Sequence, residues 1–280
     1  MKPINYLLLV IVLVTTSITY AQETEADSLW TVWQDQSRTD TSRVNALQAY
    51  LYKIPYKSYP DSLIKVAALQ LEFARTRDLA EYTYKALHNI ALGYGIKGEF
   101  EKAFHNLEES IKISEKLGDE EQILKSLYWY GRMKRQKGEL SEALSYYDRS
   151  LKIAEEISYS GGVSNILIDI ANIYFDQGKF GHALQIYERK LRTDEKDPNK
   201  FYLMGTLNEI GRVYSRVDDF PKALEYYQRS LALSKEIPSP VGIATGYINL
   251  GHIYINLEDH DLAIVYTDSA LNVARELNDN

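Results

Sequence analysis

The side chains able to do chemistry are five histidines, 39 acidic and 32 basic residues, with no cysteine among the 280 positions. The histidines are His88, His105, His182, His252 and His260, and no two stand in a His-x3-His or His-Glu-x2-His spacing. A helical zinc site needs that spacing to put two imidazoles on one face, so no metal is expected. Without cysteine there is no disulfide, no thiolate ligand, no cysteine nucleophile and no lipid anchor at a leader cleavage site. No glycine-rich phosphate loop occurs. Asp218-Asp219 and His260-Asp261 fall in short turns, where aspartate serves to cap helices. No catalytic residue and no cofactor are assigned, and the chain reads as a non-enzyme. What is left is recognition chemistry. Arg132, Asn172, Arg212 and His252 recur 40 residues apart, and arginine and asparagine suit peptide carbonyls and carboxylates. Tyr128 and Trp129 beside Arg132 are the large aromatics that binding hot spots favour.

These side chains belong to a repeat. Ala103, Ala143, Ala183, Ala223 and Ala263 are spaced 40 residues apart without slippage. Twelve residues before each lies a small residue: Ala91, Gly131, Ala171, Gly211, Gly251. Eight after lies an aliphatic: Ile111, Leu151, Leu191, Leu231, Leu271. Four after, three copies carry Tyr147, Tyr187 and Tyr227. Between the small residue and the alanine falls a turn such as Lys97-Gly98-Glu99 or Gln177-Gly178-Lys179, where glycine can take the left-handed conformation that closes a helix. Apolar residues recur at helical spacing on both sides. Each copy is therefore a helix pair, A then B, with small residues letting A and B approach and tyrosines and aliphatics filling the groove to the next pair. The pairs Tyr146-Tyr147 and Tyr226-Tyr227 are expected to place one ring in the core and the other towards solvent. One pair cannot bury both faces, so the copies must stack.

The pattern resembles the tetratricopeptide repeat family: small-x2-aromatic in helix A, then Gly-x-aromatic-x2-Ala, as in Gly178-Lys179-Phe180-Gly181-His182-Ala183. The family's usual period is 34. The 40-residue period is similar to that of bacterial peptide-sensing regulators and of kinesin-light-chain-type scaffolds. The implied fold is all-α, a right-handed α-solenoid of antiparallel helix pairs. Five repeats are expected at about 80–119, 120–159, 160–199, 200–239 and 240–280, behind a degenerate first unit or cap over 22–79. There, Asp40-Thr41-Ser42 caps one helix and Pro60-Asp61 opens another. The family's concave surface is lined by helix A, which implies a partner-binding row of Tyr128, Trp129, Arg132, Asn172, Asn208, Arg212, Asn249 and His252, with a protein or peptide as partner. The competing reading of the same residues is a solvated polar face. The family's carboxylate clamp for C-terminal peptides is not reproduced in residue type.

Export is the second expectation. Lys2, the apolar run Tyr6–Val14 and Thr19-Tyr20-Ala21 form a signal peptide over 1–21, cleaved after Ala21. The apolar run is far short of the ~20 residues of a membrane span, so the mature chain carries none and is periplasmic or secreted. The net charge of −7, or −8 without the leader whose one charged side chain is Lys2, argues against a nucleic-acid partner. Leu277-Asn278-Asp279-Asn280 aligns with Leu117-Gly118-Asp119-Glu120, where a further pair would begin. An uncapped last helix with Leu262, Val265, Ala270, Leu271 and Ala274 is expected to leave apolar surface for a homo-oligomer contact or a continuation. The functional expectation is a protein- or peptide-binding scaffold. The alternative is the sensing input region of a two-component type signalling protein.

Overall fold

A computed structural model describes residues 25–237 and 239–278; the expected signal peptide lies outside them. Every regular element among the described residues is a helix: α1 (25–34), α2 (Asp40–Lys53), α3 (Pro60–Thr76), α4 (Ala80–Ile96), α5 (Phe100–Leu117), α6 (Glu120–Gln136), α7 (Leu140–Glu156), α8 (Ser160–Asp176), α9 (Phe180–Asp194), α10 (Lys200–Arg216), α11 (Phe220–Glu236), α12 (Pro240–Asn256) and α13 (His260–Asn278). From α2 onward a new helix begins every 20 residues. The repeat of helix starts therefore reaches back to Asp40, one pair ahead of the regularly spaced alanines. No described helix is long and apolar enough to cross a membrane.

Two turn chemistries set this spacing. Gly98, Gly138 and Gly178 close helix A with positive φ, and in the last two copies Asp218 and Glu258 take the same left-handed conformation (φ 59 and 61). There the tight three-residue turn overrides the cost of a Cβ at positive φ. The helix starts are capped less uniformly. The cap of α2 is Thr39, whose hydroxyl accepts from Ser42 N, with Asp40 already inside the first turn. The expected cap thus lies one residue upstream of Asp40-Thr41-Ser42. Pro60 opens α3 as expected.

The helices form two compact units, residues 1–133 and 134–280, divided within α6. In the first unit Leu47, Leu51, Leu63, Val66, Ala67 and Ile90 form a buried cluster that α1 closes with Trp30 and Trp33. In the second, Ala171, Ala183, Tyr187, Ile210 and Val213 form one cluster, and Ala223, Tyr227, Leu231, Leu250 and Ile253 the next. The register explains both. A Cβ at Gly211 would lie 2.7 Å from Tyr227 Cδ1, so the small residue of helix A is where the tyrosine of helix B lies flat. Tyr147, Tyr187 and Tyr227 are buried, as their periodicity requires. Their neighbours are not simply outward. Tyr146 and Tyr226 are half-buried, and Tyr226 stacks on Tyr214 with ring centres 5.6 Å apart.

Candidate functional site

The helix A residues of the recognition row divide into two kinds of environment. In the first unit Asn89 and Leu92 of α4, Tyr52 of α2, Tyr56 after it, and Gln122 and Lys125 of α6 line a cavity of about 270 Å³ with Lys85 and His88. Lys85 and Lys125 hold the same place in successive copies, each paired with the glutamate four residues earlier at 2.5 Å. Exposed i,i+4 pairs of this sort contribute a few tenths of a kcal/mol, so both ammonium groups can turn to an incoming anion at little cost. Tyr56 meets Trp129 edge-on, ring centres 6.3 Å apart. Arg132 lies over Trp129 at 4.6 Å and near Tyr128 at 5.8 Å. Thus Tyr128, Trp129 and Arg132 extend the cavity along α6 as an aromatic and cationic ledge.

His88 also lines the cavity and is buried; burial, reinforced by the Lys125 charge, pushes its pKa down from 6.5 to about 4. It is a neutral imidazole at pH 7, 3.2 Å from Ser126 Oγ, and serves packing and hydrogen bonding rather than charge.

In the second unit the row is closed on itself. Tyr187, rising from helix B, donates to Asn172 Oδ1 at 2.7 Å and lies 3.3 Å from Glu209 Oε2. Burial and the neighbouring Glu209 carboxylate push its phenol pKa well up, so it stays a donor. Arg212 donates to Glu209 through Nε at 2.8 Å, to the same carboxylate through Nη2, and to Asn172 Oδ1 at 3.2 Å. Its guanidinium lies 3.8 Å from the centre of the Phe175 ring. Asn249 donates to Asn208 Oδ1 at 2.7 Å, and Arg135 pairs with Asp169 and Asp176 at 3.2 and 3.1 Å. His252 is exposed beside Asn256. The Tyr187–Glu209, Arg212–Asn172, Asn249–Asn208, Arg135–Asp169 and Arg135–Asp176 links join neighbouring copies, so the polar row here is a ladder between helix pairs. Arg212→Ala should cost about 1 kcal/mol, less than the roughly 1.5–3 kcal/mol of a charged hydrogen bond because the side chain is over a third exposed. Urea denaturation checks this, and no loss of stability would remove the ladder reading.

The sequence reading missed a buried polar cluster in the second unit. Lys190 and Asp194 are 3% and 1% exposed. Lys190 Nζ lies 2.6 Å from Asp194 Oδ2 and 2.7 Å from Thr206 Oγ1, and Ser164 donates to Asp194 Oδ1 at 2.8 Å. Burial lowers the Lys190 pKa, opposed by Asp194. The column through Lys190 otherwise holds Gln70, Ser110, Ser150, Ser230 and Ala270. Ser110 and Ser230 simply donate to Tyr84 and Met204 carbonyls at 2.9 Å. Where those copies carry Tyr84, Leu124 and Met204, the third pair has Ser164. A large residue became small as two small ones became Lys and Asp, which keeps volume while inserting charge. Comparing columns across the copies would have exposed this substitution. Among the described residues no group of three or more histidine, aspartate or glutamate side chains could hold a metal ion.

A family model for the tetratricopeptide repeat matches residues 82–156, 122–196 and 202–276. The chain belongs to the tetratricopeptide repeat family. Solved structures carry the same fold at low identity. BtubC (BKLC) from P. vanneervenii superposes with a TM-score of 0.70 at 21% identity, over 78% of this chain and 92% of that one. A Rap protein complexed with competence and sporulation factor gives 0.59 at 17%, over 86% and 66%. The apo quorum sensor NprR from B. thuringiensis gives 0.59 at 14%, over 96% and 86%. No curated protein matches the chain in sequence. As a member of this family the chain is an all-α tetratricopeptide scaffold, and the family found is a repeat scaffold rather than an enzyme family.

Proposed function

We propose that the chain is a non-catalytic scaffold outside the cytoplasm that binds an extended protein segment on the helix A surface of its first unit. The observation that carries this is the contrast between the two stretches of the row. In the first unit the wall is a cavity with amide, ammonium and aromatic groups around it. In the second, Asn172, Asn208, Arg212 and Asn249 already bond to one another or to Glu209 and Tyr187. Asn89 suits the backbone of an extended segment, and Lys85 and Lys125 suit a carboxylate on it. Tyr56, Tyr128 and Trp129 supply apolar anchorage. The extracytoplasmic placement rests on the leader pattern of residues 1–21.

Selection of a displayed random-peptide library on the immobilised chain tests the binding. The expected result is enriched peptides with micromolar affinity that compete with one another and bind K125E at least about tenfold more weakly. Failure to enrich, or peptides indifferent to K125E, would overturn the reading. A second reading, the input region of a signalling protein, draws on the likeness to a Rap protein in complex with its factor and to the quorum sensor NprR. It requires that a selected peptide change the helix packing, visible as altered small-angle scattering. An unchanged profile at saturation would leave the simple scaffold.

A further inference from the structure

The outward face of α13 differs from the outward face of every earlier helix B. At the position of Leu262 the four preceding copies carry Lys102, Glu142, His182 and Lys222. At the position of Val265 they carry His105, Ser145, Gln185 and Glu225, and at that of Ser269 they carry Glu109, Arg149, Arg189 and Arg229. Three successive turns of a polar, mostly charged stripe thus become Leu, Val and Ser in the last copy. Leu262 is 38% and Val265 57% exposed, next to Ile264 at 60% and Leu271 at 45%. A further helix pair stacked as α12 stacks on α11 would cover the counterparts of Leu224, Tyr227 and Leu231, which are Ile264, Thr267 and Leu271. It would leave Leu262 and Val265 in water, as their polar counterparts are. Apolar residues placed where the repeat elsewhere keeps charge call for a cover that is not a continuation of the stack.

We propose that this cover is α13 of a second copy of the chain, in a two-fold antiparallel pairing. The helix is acidic in its first turn, at Asp261, and basic in its last, at Arg275. These residues lie equally far from Asp268, so antiparallel helices crossing there place Asp261 of each beside Arg275 of the other, at both ends. The same crossing sets Val265 against Leu271, and places Leu262 and Ser269 at the edge of the contact on the Val265 side. Asp268 facing its own copy on the axis, and Glu276 adjoining Arg275, work against the pairing. This surface is independent of the inner face of the first unit.

Sedimentation of the purified chain over the micromolar range tests the pairing. The chain is expected to form dimers. L262K/V265E, which installs the residues that Lys222 and Glu225 supply one copy earlier, should raise the dimer Kd by roughly tenfold or more. Because those residues already occupy these positions in α11, the helical circular dichroism should be unchanged. D261R should weaken the dimer and D261R/R275D restore it, the signature of a reciprocal contact. A monomeric wild-type chain, a dimer indifferent to L262K/V265E, or a charge swap that fails to restore association would each overturn the proposal.

Discussion

Asp194→Ala is expected to destabilise the chain by about 3–5 kcal/mol, because it strands the Lys190 ammonium in the core. Lys190 is a helix B residue at a column where the other copies hold serine, alanine or glutamine. Its charge is supported by hydrogen bonds to Asp194 Oδ2 and Thr206 Oγ1, with the Tyr202 ring centre 5.9 Å away. Removal of the carboxylate leaves one hydroxyl against the full desolvation of an ammonium, and neutralising the lysine costs free energy at pH 7 as well. Lys190→Met is expected to cost a similar amount by leaving Asp194 with only Ser164 and Thr206. Triple replacement S164L/K190S/D194S, which writes the third pair in the residues of its neighbours, should recover most of the loss, since a volume-matched apolar and hydroxyl packing needs no buried charge. Urea unfolding of the three variants checks the series. Equal stability of Asp194→Ala and wild type would mean that the pair is hydrated, and the cluster would lose its role.

His88 gives the second large effect. Its pKa is 6.5 in the unfolded chain and about 4 in the folded one, through burial and the Lys125 charge. Between those values the unfolded state binds a proton that the folded state refuses, so stability rises with pH there and falls as pH is lowered. The contribution is complete above about pH 6.5. Roughly 3 kcal/mol of it is lost by pH 4, at about 1.4 kcal/mol for each pH unit of separation. His88→Gln should flatten this stretch of the stability profile while keeping a partner for Ser126. A slope that persists in the variant would assign the acid sensitivity to other groups. Lys125→Met is expected to raise the folded-state pKa of His88, the opposite of what loss of a hydrogen bond would do.

The helix pairs were legible because the 40-residue register repeats in residue types whose physics is unambiguous: a small residue under a tyrosine ring, a left-handed turn, an alanine at the crossing. Asp218 and Glu258 show where that legibility thins, since neither residue type announces positive φ, and only their place in the register does. The leading degenerate pair, α2 and α3, ahead of the five full pairs, has the spacing without the alanine signature, so periodicity of helix starts extends beyond periodicity of side chains. Arg212 and Asn172 were visible as a polar row. Their satisfaction by Tyr187 and Glu209 was not, because those partners come from a helix B and from a different helix A position. Lys190 and Asp194 are residue types that are seldom fully buried. Their burial follows only from the column they occupy, where every counterpart of Lys190 is buried as well.

Photo-crosslinking decides whether partners lie on the inner face of the first unit and not along the closed row of the second. A benzoylphenylalanine replaces Asn89 in one variant and Asn208 in another, each irradiated with a labelled library-selected peptide. The expected result is capture of the peptide at position 89, abolished by excess unlabelled peptide, and none at position 208. Capture at 208 with none at 89 would contradict it.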